Sequence, residues 1–298
     1  MIEQNLLKKP AFSLAQKLSD YKQLGKLRLS LVVVLSAAMV FLIAAPLPLA
    51  WPAFVWLVCG GLLITLGANS INEILEIRYD LYMARTASRP LPGQRMRVAE
   101  AWGFALLTTA LGTGLLWVAL GMLPALLGLA SVLLYAFVYT PAKRMGPVAV
   151  FVGAIPGALP ALIGWVAATG GLGAGGWVLF AIQVVWQLPH FWSIAWLAHE
   201  DYSRAGFRLM LYGAPGRKAA MNVLLLTALL VPMSLLPLVY GMAGLGATVL
   251  ISGFSALYTL QALNLLLRQS RAAALGLMFG SFFYLPLVHL VLLVDKFI

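Results

Sequence analysis

The chain has 298 residues, of which 62% are apolar and only 10% charged, with a formal net charge of +11 and a mean hydropathy of +0.94. Globular domains carry roughly 25% charged residues, so this composition excludes a water-facing protein. The positive charge is spread along the chain rather than pooled on one soluble face, which argues against nucleic acid as a partner.

Nine apolar runs are each long enough to cross a hydrocarbon core of about 30 Å as a helix, which takes roughly 20 residues. They lie at 29–49, 51–76, 98–118, 122–140, 148–169, 176–198, 219–240, 243–267 and 272–294. None shows the strict alternation of a barrel strand. The expectation is an all-α membrane protein with nine transmembrane helices. Residues 1–28 precede the first run. Phe12, Ala15, Leu18, Tyr21 and Leu24 recur there at helical spacing among lysines, which reads as a cytoplasmic amphipathic helix lying on the membrane surface. Residues 29–298 read as a single membrane domain. No cleavable signal peptide is expected, because the first apolar run is of full spanning length and follows a basic segment. The lone Cys59 lies inside the second run, so neither a disulfide framework nor a cysteine metal site is expected.

Lysine and arginine positions set the orientation. The N-terminal segment holds Lys8, Lys9, Lys17, Lys22, Lys26 and Arg28, and the other basic residues except Lys296 fall in the loops after even-numbered runs. The positive-inside rule then places the N-terminus in the cytoplasm and the C-terminus outside. Two acidic clusters face the cytoplasm in this topology, one closing the second run and one closing the sixth.

The first cluster sits in "NSINEILEIRYDLYMARTASRP", Asn69 to Pro90. Asn72, Glu76 and Asp80 are spaced i, i+4 and i+8, so on a helix they cover about 80° of its circumference. Oxygen ligands aligned in this way suit a hard cation such as Mg²⁺, which takes one or two carboxylates and completes its shell with water and substrate phosphates. Arg85 and Arg89, four residues apart, and Lys143 and Arg144 after the fourth run supply cations suited to phosphate oxygens. Glu73 and Arg78 read as off the stripe, in solvent or in local ion pairs. Charged helix ends commonly serve only topology, and the arginines alone would warrant no more. Acids contribute little to topology and are costly at membrane depth, which favours a functional role for them. The pattern describes a site for a metal-bridged diphosphate, with an apolar tail lying in the bundle.

Five words of the sequence, "NEILEIRYDLYMARTASRPL", "YTPAKRMGP", "GAIPGALPALIGW", "WQLPHFWSIAW" and "EDYSRAGF", together resemble the haem-farnesylating branch of the UbiA-type intramembrane prenyltransferases. The resemblance runs from "LGKLRLSLVV" to about Leu211. It implies nine helices around a central cavity, with Mg²⁺ and farnesyl diphosphate at the cytoplasmic mouth, haem B as acceptor, and a bacterial inner-membrane location. Carried over residue by residue, Asn72, Glu76 and Asp80 form the first metal motif. Arg85, Arg89, Lys143 and Arg144 bind diphosphate, and Glu200, Asp201, Tyr202 and Arg204 form a second polar motif. Superfamily members often place a second aspartate four residues after the first; here that position is Ala205, which fits the haem-modifying branch. His199 stands where a basic residue is common. Partners implied by the family context include haem A synthase and oxidase assembly factors. A quinone-precursor acceptor and a membrane transporter are the alternatives, and the clustering of acids at one mouth speaks against the second.

Imidazole is the commonest axial ligand of haem iron. Of His190, His199 and His289, His190 in "QLPHF" is the best candidate for haem binding, since Pro189 can open a polar pocket beside it. "GGLGAGG", residues 170–176, lacks a lysine and follows no strand, so it reads as a connection rather than a phosphate loop.

Overall fold

The computed structural model describes residues 13–298, and among these it is helical, with no strand. A short helix α1 (Leu14–Leu24) precedes α2 (Leu27–Ala44), α3 (Trp51–Asp80), α4 (Val98–Leu120), α5 (Met122–Ala142), α6 (Val148–Thr169) and α7 (Ala174–Leu197). After a second short helix, α8 (His199–Arg204), come α9 (Arg217–Val239), α10 (Leu245–Arg268) and α11 (Arg271–Asp295). Nine of these helices are long and apolar enough to cross a membrane. The expected all-α membrane architecture is therefore observed.

Local chemistry sets the ends. α2 stops at Ala44, before the end of its apolar run, because Pro46 and Pro48 cannot continue a helix. α3 starts with Pro52 in its first turn and runs one turn past the apolar segment, to Asp80. Gly170 closes α6 in the left-handed conformation at φ 80°, where a side chain would be strained. It belongs to the glycine-rich stretch, which joins α6 to α7 as a connection.

The helices form two lobes that share α2 and α6. One core gathers Phe41, Leu57, Ile64, Ala105, Leu116 and Leu162 from α2 to α6. The other gathers Val40, Ala154, Leu179, Trp192, Ile251 and Leu277 from α2, α6, α7, α10 and α11, with α9. Leucines and valines such as Leu106, Leu111 and Val118 remain exposed on the outside, as expected of surface that faces lipid.

Small residues bring the helices close. A Cβ added to Gly112 of α4 would lie 2.8 Å from the Gly60 carbonyl and from the Ile64 nitrogen of α3. Pro160 of α6 cannot donate to the carbonyl of Pro156, and Ser131 of α5 donates to that carbonyl instead at 3.4 Å.

α1 is pinned by polar contacts to the start of α4 and to the preceding loop. Arg95 Nε donates to the buried Asp20 at 2.9 Å, and Lys17 and Tyr21 both donate to Glu100, at 2.8 and 2.9 Å. Leu24 and Asp20 are buried while Leu14 and Leu18 stay exposed; Phe12 lies outside the described residues. α1, the end of α3 and the start of α6 lie at one end of the bundle, called here the basic end. At the opposite end Lys296 donates to the carbonyls of Leu42, at 2.6 Å, and Ala45.

Gly112→Leu should lower the melting temperature in detergent, since overpacking a tight contact costs about 1–3 kcal/mol. Gly103→Leu on the same helix, where a Cβ meets nothing within 4 Å, should melt near the parent. Equal losses would contradict the close α3–α4 contact.

Candidate active site

The last turns of α3 carry a polar face into the bundle. Asn72, Glu73 and Asp80 are 0% exposed and Glu76 is 5% exposed, so three carboxylates are taken out of water together. Glu73 was expected in solvent or a local ion pair; it is buried rather than solvated, with Arg89 of the following loop 3.9 Å away. Seven residues turn a helix about 700°, which puts Glu73 within about 20° of Asp80. Arg78, on the opposite side, is exposed as expected.

Removing a carboxylate from water is tolerable only if counter-charges and hydrogen bonds replace the solvent. Three cations arrive from three different segments. Lys143, just past the end of α5, donates to both oxygens of Glu76 at 2.8 and 3.0 Å. Arg89, in the loop after α3, reaches back to Asp80 at 2.8 Å and lies 3.9 Å from Glu73. Lys26, the residue before α2, donates to Asn72 Oδ1 at 2.6 Å. Burial would pull the Lys143 ammonium down, but Glu76 outweighs it and the group ends above the ordinary lysine value. Lys26 has no such dominant partner. Burial first, then the positive charges of Arg89 and Lys143, lower it to about 7.

A π-helical turn at Leu134–Tyr139 sets the α5 side of the site. Thr140, at its end, donates to the Tyr135 carbonyl at 2.9 Å and accepts from Asn72 Nδ2 at 2.9 Å. Asn72 Nδ2 also donates to Glu76 at 3.0 Å. The Asn72 amide therefore ties Lys26, Glu76 and Thr140 together. One turn deeper, Asn69 donates to Ser30 at 3.0 Å and accepts from the Tyr135 hydroxyl at 3.4 Å.

Asp80 Oδ1 and both Glu73 oxygens are buried without a hydrogen-bond partner. Bare carboxylate oxygens beside one another are what a hard divalent cation takes, so the donor set fits Mg²⁺. Among the described residues no three such side chains stand in ligating geometry, and Lys143 and Arg89 hold the paired oxygens of Glu76 and Asp80.

The other expected site residues are placed differently. The loop after α3 is a chain of turns, so Arg85 and Arg89 do not share a helix face; Arg85 is exposed while Arg89 folds inward. Arg144 lies over the Tyr79 ring, 4.9 Å from its centroid. Glu200 and Asp201 pair locally with Arg204 at 3.6 and 3.3 Å, and the Glu200 side chain is 87% exposed. Tyr202 connects this second motif to the first through Phe207, whose ring lies tilted against Tyr79, 5.4 Å between centroids, with its own centroid 6.0 Å from the Lys143 ammonium. His190 stacks on Trp186 at 5.2 Å and its Nδ1 lies 2.7 Å from Ser281 Oγ. The Ser281 hydroxyl donates its one proton to the Met278 carbonyl. His289 is buried on the half of α11 far from this site.

Below the polar cluster an apolar cavity of about 120 Å³ runs between α2, α3, α5 and α6. Asn69 and Tyr135 line its upper part and Leu57 and Leu116 its lower part. A buried cluster of carboxylates and cations thus stands about one turn above an apolar slot.

The sequence profile described as the UbiA prenyltransferase family matches residues 31–285. The chain belongs to the UbiA prenyltransferase family. A protoheme IX farnesyltransferase of Cytophaga hutchinsonii is 40% identical over 284 residues, covering 95% of this chain and 99% of that one. Among solved structures, one described as digeranylgeranylglyceryl phosphate synthase superposes with a TM-score of 0.79 at 19% identity, covering 94% of this chain and 99% of the other. A UbiA homologue from Archaeoglobus fulgidus bound to GPP and Mg²⁺ gives 0.68 at 18% identity, covering 92% and 99%. The chain is thus a UbiA-family membrane prenyltransferase with the family's fold.

Sequence reasoning missed Lys26, Asn69, Glu73 and Thr140. The seven-residue interval from Glu73 to Asp80 was a readable signal for one of them. The other contacts depend on where α2 and the π-helical turn place their side chains, which spacing within α3 does not report.

Arg89→Met would strand Asp80 and Glu73 as buried charges. Breaking such a pair costs about 3–5 kcal/mol, so a fall in melting temperature is expected, with partial recovery in Arg89→Met/Asp80→Asn. A single variant as stable as the parent would contradict the role of Arg89 as counter-charge.

Proposed function

We propose that this UbiA-family enzyme transfers a farnesyl group from farnesyl diphosphate to a vinyl group of haem B, with addition of water, to give haem O. The observation that carries the choice of acceptor is the 40% identity to a protoheme IX farnesyltransferase over 95% of the chain. The site supports the donor. Lys143 and Arg89 already pair with buried carboxylates, so a diphosphate that engages them would arrive with a cation of its own to hold those acids.

In this reading Glu73, Glu76 and Asp80, with Asn72, hold Mg²⁺, and Lys26, Arg89 and Lys143 hold diphosphate oxygens. Arg85, Arg144, Tyr202 and Arg204 assist at the rim, while Glu200 and Asp201 act on the substrate from the outer side of the mouth. Bound Mg²⁺ supplies Lewis-acid charge that stabilises the departing diphosphate. The chain does the rest. Lys26 is the cation free to turn to substrate, because it bonds a neutral amide instead of a carboxylate. The C1–O bond breaks with its electron pair leaving on diphosphate, and the fixed cations stabilise the charge that develops there. The Tyr135 ring, at the head of the cavity, gives the allylic cation an aromatic face. The apolar walls keep water from it until the vinyl π electrons form the new C–C bond. Water then adds to the resulting haem-side cation and releases a proton. His190 offers a ring nitrogen to the haem iron. The basic end faces the cytoplasm of a bacterial inner membrane, by the bias of lysine and arginine.

Release of inorganic diphosphate from farnesyl diphosphate tests this reading. It should require haem B and Mg²⁺ and cease in EDTA. Glu76→Gln and Asp80→Asn should lower the rate per folded protein about a hundredfold, the scale of losing one electrostatic stabiliser. Lys26→Met should raise KM for the diphosphate about tenfold. Release at the parent rate from both acid variants would sink the assignment of the site, and release that ignores haem would point to another acceptor.

A further inference from the structure

We infer that Leu116 and Leu57 form the floor of the prenyl cavity and set the length of the chain this enzyme accepts. The inference deepens the proposed prenyl-diphosphate reading and rests on it.

The cavity has a polar head and a closed apolar foot. Asn69 and Tyr135 bound it below the carboxylates, and twelve residues earlier on α3 stands Leu57. At 1.5 Å per residue that interval is about 18 Å. With C–C bonds near 1.5 Å, an extended isoprene unit adds about 5 Å, so farnesyl spans about 15 Å and geranylgeranyl about 20 Å. The shorter chain fits with its C1 at the head, and the longer one meets the foot.

The foot is closed and firmly built. Leu116 is 0% exposed and Leu57 1% exposed. Leu116 is wedged over two glycines, since a Cβ on Gly60 would come within 2.6 Å of its Cδ2 and one on Gly128 within 3.4 Å of its Cδ1. It cannot turn aside for a longer chain without displacing α3 or α5. The middle of the slot is different. Gly61 lines the cavity, and a Cβ there would meet only Val34 Cγ2 at 3.7 Å, so a side chain can enter the slot without disturbing the helices.

Two variants act in opposite directions. Leu116→Ala deepens the foot, and Gly61→Val plugs the slot about 12 Å below Asn69 by helix rise. The dissociation constants of geranyl, farnesyl and geranylgeranyl diphosphate, measured with Mg²⁺ and without acceptor, report chain length directly. The masses of haem products in a three-way competition report it in turnover. The parent should prefer farnesyl. Leu116→Ala should raise the affinity for geranylgeranyl relative to farnesyl at least tenfold, and Gly61→Val should raise geranyl relative to farnesyl by a similar factor. If Leu116→Ala, folded, keeps the parent's order and ratios within twofold, or Gly61→Val, melting like the parent, does so, the floor is elsewhere and the inference falls. If affinity ratios shift as stated but haem stays unmodified, the inference stands and the haem acceptor is wrong.

Discussion

Three carboxylates buried on one face of α3 constrain everything around them. Water is not available at that depth, so Glu73, Glu76 and Asp80 need counter-charges from the protein itself. Lys143 comes from the end of α5, Arg89 from the loop after α3, and Lys26 lies at the head of α2 with Asn72 between it and Glu76. Each supply line fixes a segment. The Arg89 contact folds back a loop that has no helix of its own, and the π-helical turn at Leu134–Tyr139 turns Thr140 towards Asn72 and leads into Lys143. Lys26 adopts a left-handed backbone at φ 48°, a conformation that is costly for a side-chain-bearing residue and recurs at functional sites.

That constraint explains why the site joins two unlike environments. The polar face of α3 ends near Asn69, and immediately below it the same helix lines the apolar slot with Ala68, Ile64 and Gly61. One rigid helix thus carries both the charged cluster and the apolar slot, and the register between them is fixed by 1.5 Å of rise per residue. Loops could not hold that register.

Much of this was legible in the sequence. Nine apolar runs correspond to nine helices among the described residues that are long and apolar enough to cross a membrane, because length and hydropathy answer directly to the thickness of a bilayer. The i, i+4, i+8 spacing of Asn72, Glu76 and Asp80 correctly put them on one buried face. The same arithmetic places Glu73 there too, since 73 to 80 is nearly two full turns. Arg85 and Arg89 are four residues apart, but α3 ends at Asp80, and in the turns that follow Arg85 is exposed while Arg89 reaches back to Asp80. Glu200 and Asp201 satisfy themselves with Arg204 on the short α8, a local pairing that motif order does not reveal. The partnership of Lys26 with Asn72 joins residues 46 apart in the chain, and no periodicity signals a contact between two helices.

The central claim is that this membrane cluster and its slot serve prenyl transfer to haem. Mass spectrometry of haem recovered after incubating the purified protein with haem B, farnesyl diphosphate and Mg²⁺ tests it most directly. The account predicts a haem heavier by one farnesyl group plus one water, absent when EDTA is present. Haem of unchanged mass, recovered from folded protein that binds farnesyl diphosphate, would contradict it.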